Sequence, residues 1–162
     1  MIHILCGEGR GKSSAALGFA IKAAGQGRQV TVISLLKGRK TGSYELLSRF
    51  EPQLKLFTFE KSEESFKDLS HSDQDAQVQN LMSGFYFARK VLATGECDLL
   101  VLDEFLGLVD TGIVSADELL ELLHSAGTRT EVILTGINAD EKVCSIADDV
   151  TVFTTTYRDG GH

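Results

Sequence analysis

The apolar positions of this chain fall into short blocks with two alternating rhythms. Residues 2–6 (IHILC) form an apolar run that breaks at Gly7. Residues 12–24 (KSSAALGFAIKAA) are rich in helix formers and stop at Gly25 and Gly27, residues suited to ending a helix. Residues 30–36 (VTVISLL) are β-branched and almost continuously apolar, the pattern of a strand buried on both faces. Residues 54–59 (LKLFTF) alternate, which predicts a strand nearer an edge. Ser72 followed by Asp75 is a capping signal for a long helix over 73–93. Residues 99–103 (LLVLD) read as another buried strand, and Ser115 with Glu118 forms a capping box for a helix ending near Ala126 and Gly127. Residues 131–135 and 150–154 supply the last strands. Strands alternating with helices imply parallel pairing through right-handed crossovers. The expected fold is therefore α/β, a mostly parallel central sheet with helices on both faces. In such sheets ligands sit at the carboxyl ends of the strands.

Composition narrows the picture. A chain of 162 residues is one domain's worth (1–162) and buries a core without disulfide staples. A single proline, Pro52, against 16 glycines argues against a loop-heavy all-β fold and for glycine at strand-to-helix turns. With 16 basic and 23 acidic residues the net charge is −7, which speaks against a nucleic-acid or anionic-membrane partner but leaves room for one local polyphosphate pocket. Cys6, Cys97 and Cys144 are far apart, with no CxxC pair, and read as reduced thiols. The four histidines show no metal-ligand spacing. No apolar stretch approaches a membrane span, and MIHILCGEG lacks the basic region of a signal peptide, so the expected location is cytoplasmic.

Three further clusters read as structure before function. Residues 60–75 carry six acids and two lysines, the composition of a solvated connector or, alternatively, a lid. Lys37, Arg39 and Lys40 form a basic cluster that reads as a solvated turn. Phe85, Tyr86 and Phe87 with Met82 read as one packing face of a helix.

The chemistry concentrates in Cys6-Gly7-Glu8-Gly9-Arg10-Gly11-Lys12-Ser13-Ser14, between a strand and a helix, the context of a phosphate-binding P-loop. Glycines let successive amides turn inward as an anion nest, and the helix N-terminus adds its positive dipole end. Gly7, Glu8, Gly9, Arg10, Gly11, Lys12, Ser13 and Ser14 are the candidate nucleotide-binding residues. Lys12 would reach the outer phosphates and Ser13 would ligate Mg²⁺. The usual motif begins with glycine where this chain has Cys6; its glycines run GxGxGKS instead. The strand LLVLD ends in Asp103 followed by Glu104, the form of a Walker B strand. Asp103 and Glu104 are therefore candidate metal-site residues with Ser13. Glu104 has two readings, a base that activates water or a member of the metal shell.

With both motifs placed, the chain resembles the P-loop ATP:corrinoid adenosyltransferases, which act on cob(I)alamin or cob(I)yrinic acid a,c-diamide. GEGRGKSSAALGFAIKAAGQG, VISLLKG, LFTFE, CDLLVLDEFLGLVDTGIV, EVILTG and IADDVTVF match family segments in order along most of the chain. The resemblance implies a three-layer, RecA-like P-loop NTPase fold. It also implies transfer of the 5′-deoxyadenosyl group of ATP to Co(I) of a reduced corrinoid, with release of triphosphate. It assigns Lys12 and Glu104 to catalysis, and Phe57 and Phe59 to the corrinoid face, where ordinary core packing is the competing reading. It further implies Mg²⁺, a homodimer, and a reductase that supplies Co(I). The chain departs from the family in having no tryptophan, so that Phe59 stands where the family has Trp. Ile137 replaces the arginine of the family's TGR, and the family's N-terminal extension and C-terminal segment are missing. A P-loop NTPase or nucleoside kinase, and a non-catalytic ATP- or corrinoid-binding protein, are the competing functional readings.

Overall fold

The computed structural model describes residues 1–35, 42–59 and 68–156. The basic cluster Lys37, Arg39 and Lys40 lies outside the described residues, as do residues 60–67 of the acidic stretch. The six strands are β1 (Ile2–Cys6), β2 (Val30–Ser34), β3 (Leu54–Thr58), β4 (Leu99–Asp103), β5 (Glu131–Thr135) and β6 (Asp149–Val152). The helices are α1 (Lys12–Gly25), α2 (Gly42–Leu47), α3 (His71–Thr94), α4 (Leu106–Asp110), α5 (Ala116–His124) and α6 (Glu141–Ser145). The sheet order is β3-β2-β4-β5-β1-β6, and every pairing is parallel. The strand feeding the glycine loop is thus separated from the acid-ending strand β4 by β5 alone.

Alternation along the strands divides the interior into two cores. On β2, Val30 and Val32 face α1, whereas Ile33 faces α3. The first core is closed by Ala16, Ala20, Ala23 and Ala24 of α1 together with Leu47 of α2. Their helical spacing presents a stripe of small side chains, which lets α1 approach the sheet closely. The second core packs Leu81, Phe85, Ala88 and Leu92 of α3 beside Leu106 of α4 and Leu119, Leu122 and Leu123 of α5. The result is the expected three-layer α/β architecture with helices on both faces. Both outer strands carry exposed positions. Phe57 of β3 is 37% exposed, and no residue of β6 is buried. At the amino edge the His3 imidazole lies between Asp149 and Glu131, and Arg28 donates to Glu131 at 2.8 Å, tying β1 to β5 and β6.

Several expectations need correcting. Helix α3 starts at His71, two residues before the expected start, with Ser70 rather than Ser72 as its cap. The Ser-x-x-acid spacing occurs twice, and it is Ser70 that has extended backbone and accepts the Asp73 amide. Asp73 and Asp75 therefore belong to α3 and not to a connector. The aromatic trio does not share a face: Phe85 is 1% exposed while Tyr86 is 56% exposed, with the Arg89 guanidinium 5.9 Å from its ring. Consecutive helical residues point about 100° apart, so three in a row diverge. Helices α2, α4 and α6, of five or six residues each, were not legible because fewer than two turns show no periodicity. The capping box at Ser115 and Glu118 is present in both directions, and the Ser115 amide and hydroxyl hold the Glu118 carboxyl below its usual range.

The layers predict unequal sensitivity across the sheet. Leu102 in central β4 is fully buried, so Leu102→Ala should cost about 2–5 kcal/mol. Val152 on edge strand β6 is 63% exposed, and Val152→Ala should stay within ~0.5 kcal/mol. Urea denaturation of the two variants beside the parent checks the contrast.

Candidate nucleotide site

Parallel register brings the ends of four strands to one edge. Ser34 pairs with Asp103, Leu102 with Leu134, and Leu5 with Thr135, so Cys6, Ser34, Asp103 and Thr135 gather where the crossovers begin. The loop after β1 is shaped by close backbone contact. The Gly7 amide donates to the Ile137 carbonyl at 2.7 Å, and the Gly9 amide to the Phe153 carbonyl at 2.8 Å. The Phe153 amide in turn donates to the Cys6 carbonyl at 2.7 Å. A β-carbon on Gly7 would lie 2.4 Å from the Phe153 oxygen, and one on Gly9 would lie 2.5–2.7 Å from the Phe153–Thr154 backbone. Gly7 also has φ +103°, and Gly11, the residue capping α1, has φ +106°. The alternating glycines are thus required by contact with the chain leaving β6 and by left-handed backbone.

Lys12 and Ser13 open α1, and the amides of this first turn have no acceptor within the helix. The Lys12 ammonium donates to the Gly9 carbonyl at 2.7 Å, folding the side chain back over the loop. It has two further protons for other acceptors. Glu8, Arg10 and Ser14 are exposed at the loop and helix start, and the Arg10 amide donates to the Thr155 hydroxyl at 3.3 Å.

Asp103 is 2% exposed. Its Oδ1 accepts from the Thr135 hydroxyl at 2.7 Å and its Oδ2 from the Ser34 hydroxyl at 3.0 Å. The Thr135 Oγ1 also accepts from the Glu104 amide at 2.9 Å. Thr135 therefore clamps the two acids to one another. Glu104 has φ +68°, the one non-glycine residue with positive φ among the described residues. That conformation costs on the order of 1 kcal/mol or more and turns the chain sharply into α4.

The donor set suits a hard divalent cation carried by a nucleotide. Ser13, Asp103 and Glu104 offer only oxygen, and no cluster of three His, Cys, Asp or Glu side chains capable of holding an ion occurs among the described residues. Mg²⁺ needs no such cage, because it keeps waters and takes phosphate oxygens as ligands.

Phe59 borders this edge cluster, its amide donating to the Ser34 carbonyl at 2.9 Å, whereas Phe57 pairs with Ile33 one position before Ser34. Both lie on the α3 side of β3, four strand spacings from β1, or about 19 Å. Phe59 is half-buried, and a β-carbon on Gly84 of α3 would lie 3.1 Å from its ring. Phe57 packs against Phe87 with ring centroids 4.6 Å apart. Packing thus accounts for Phe59, whereas Phe57 keeps an open face. Sequence reasoning missed Ser34 and Thr135 as holders of Asp103, and Phe153 as the prop beneath the loop. A small hydroxyl residue ending a buried strand was the available signal for the first two; Phe153 had none. Ile137, standing where the family has arginine, is 51% exposed, and its carbonyl braces Gly7.

The family model for ATP:corrinoid adenosyltransferase BtuR/CobO/CobP matches residues 1–158, across both acid and glycine motifs. The chain belongs to the ATP:corrinoid adenosyltransferase family. Corrinoid adenosyltransferase CobA of Salmonella typhimurium is 27% identical over 156 residues, which cover 93% of this chain and 74% of that protein. The uncharacterized protein all2391 of Nostoc sp. is 30% identical over 161 residues, covering 91% of this chain. The chain spans only 42% of the Nostoc protein's length. Among solved structures, flagellar accessory protein FlaH from Methanocaldococcus jannaschii superposes with a TM-score of 0.58 at 18% identity, covering 96% of this chain and 72% of that one. That likeness is one of fold.

The clamp on this adenosyltransferase-family site makes a stability prediction. Thr135→Val leaves Asp103 Oδ1 and the Glu104 amide without their hydroxyl, and should destabilise by about 1–3 kcal/mol. Thr135→Ser keeps the hydroxyl and should recover most of that loss. Denaturant midpoints of the pair decide it, and equal losses would show that the methyl packing matters instead.

Proposed function

We propose that this protein transfers the 5′-deoxyadenosyl group of ATP to the Co(I) of a reduced corrinoid and releases triphosphate. The observation that carries the reading is the family match over residues 1–158 on a chain whose P-loop and Walker acids meet at one sheet edge. The bond balance is simple. Co(I) donates an electron pair to C5′ to form the Co–C bond, and the C5′–O bond breaks with its own bonding pair leaving on triphosphate. Co(I) is itself the nucleophile, so the chain need supply neither a nucleophile nor a general base.

What the protein supplies is position and charge. The α1 N-terminus and those loop amides not bonded to Ile137, Phe153 or Thr155 hold the triphosphate, with Lys12 at its outer phosphates. Holding C5′ in line with cobalt is worth up to about 7–11 kcal/mol in effective concentration. Lys12 meets charge developing on the departing triphosphate, a type of contact worth about 2.7–4 kcal/mol. Ser13, Asp103 and Glu104 would hold Mg²⁺, which supplies further charge neutralisation when bound. Glu104 is assigned to this metal shell, since the reaction has no water to activate. Phe57, with its exposed ring, is the better placed of the two aromatics to meet a corrin face, and Phe59 supports it. In this reading the protein works in the cytosol as a homodimer, and a reductase supplies Co(I); these three features rest on the family likeness.

Anaerobic incubation with reduced corrinoid and Mg-ATP should produce the spectrum of a cobalt–carbon bond and equimolar triphosphate. ADP and phosphate without adenosylcorrinoid would establish an NTPase instead. Lys12→Ala should lower the adenosylation rate by at least about a hundredfold.

A further inference from the structure

A second recessed surface lies away from the glycine loop. A groove of about 380 Å³ opens between β3, the start of β2 and the carboxyl-terminal half of α3. Phe57 and Phe87 lie on its two walls with their rings in contact, and each is followed around the rim by a lysine. Lys55 is two residues from Phe57 on β3, and Lys90 is three residues from Phe87 on α3, so each pair shares a face. Both lysines are exposed. Among the described residues neither has an ion-pair partner, whereas Lys142 and Arg28 are paired with Asp117 and Glu131. In a chain of net charge −7 this is a local cationic rim, and Glu96 is the one carboxylate lining the groove.

An exposed aromatic face between two ammonium groups on opposite walls is complementary to a flat apolar ligand with anions at two points of its periphery. A corrinoid is a flat macrocycle whose side chains end in either amides or carboxylates. We propose that Lys55 and Lys90 select corrinoids that carry free side-chain carboxylates, an assignment that rests on the adenosyltransferase reading. A nucleotide-loop phosphodiester presents one charge and would engage one wall. Lys55 is about 7 Å from Phe57 along β3, away from the carboxyl edge where ATP binds. The lysines therefore meet the rim of the macrocycle and set affinity; they take no part in the bond exchange.

The test measures equilibrium binding of three corrinoids by dialysis, separately from turnover. The first bears free carboxylates, the second is fully amidated without a nucleotide loop, and the third is fully amidated with one. Wild-type protein should bind the first about tenfold more tightly than either amidated form, the scale that two partly exposed ion pairs supply. Lys55→Gln with Lys90→Gln should bring that ratio to within about twofold, and high salt should do the same. Lys22→Gln with Arg129→Gln, two exposed cations away from the groove, removes the same charge and should leave the ratio as in wild type. A wild-type ratio near one, a preference for the looped form, or a ratio untouched by the double substitution would overturn the assignment. The anaerobic assay separates it from the parent reading. Carboxylate preference without cobalt–carbon bond formation removes the activity and leaves the groove's selectivity standing. Adenosylation of all three corrinoids with equal affinity removes the selectivity alone.

Discussion

Asp103 sets the main constraint on this molecule, because a carboxylate that is 2% exposed persists only where hydrogen-bond donors replace its lost water. Two of those donors come from different strands, the Ser34 hydroxyl from β2 and the Thr135 hydroxyl from β5. Both depend on the register that sets Ser34 beside Asp103 and brings Thr135 to the same sheet edge. A one-residue slip of either strand would turn the hydroxyl to the opposite face and leave the acid short of a partner. The same register delivers β1, and the glycine loop after it, to that edge. Strand alignment and site chemistry are thus one requirement.

Support for the loop comes from an unexpected direction. The chain leaving β6 runs so close beneath Gly7 and Gly9 that neither has room for a side chain, and it exchanges backbone hydrogen bonds with both Cys6 and Gly9. The most exposed strand of the sheet therefore helps position the glycine loop. Cys6, where the common motif has glycine, is buried, and the close approach to Phe153 falls one residue later, at Gly7.

The two halves of the proposed reaction sit at different places on the sheet. The proposed phosphate site lies near β1, β4 and β5, beside the buried and mutually bonded Ser34, Asp103 and Thr135. The aromatic surface lies on edge strand β3, where Phe57 and Lys55 are exposed. A buried, multiply bonded site tolerates little variation, because each lost partner leaves an unsatisfied group. An exposed groove can exchange residues at small cost.

Much of this protein was legible from its residues. The strands of the central sheet, helices α1 and α5, the glycine loop between β1 and α1 and the acid pair ending β4 follow from apolar period, capping residues and glycine placement, all local properties with local physical causes. Sequence also carried the family, because ordered motifs along one chain survive at modest identity. Residues far apart in sequence were beyond its reach. That Ser34 and Thr135 hold Asp103, that Phe153 underlies the glycine loop, that His3 lies between Asp149 and Glu131, and that Phe57 and Lys55 face Phe87 and Lys90 are all consequences of strand order and register. The choice of Ser70 over Ser72 as a cap was likewise open locally, since both have the right spacing. Periodicity tells which face of an element is apolar, but only the packed sheet decides what lies opposite that face.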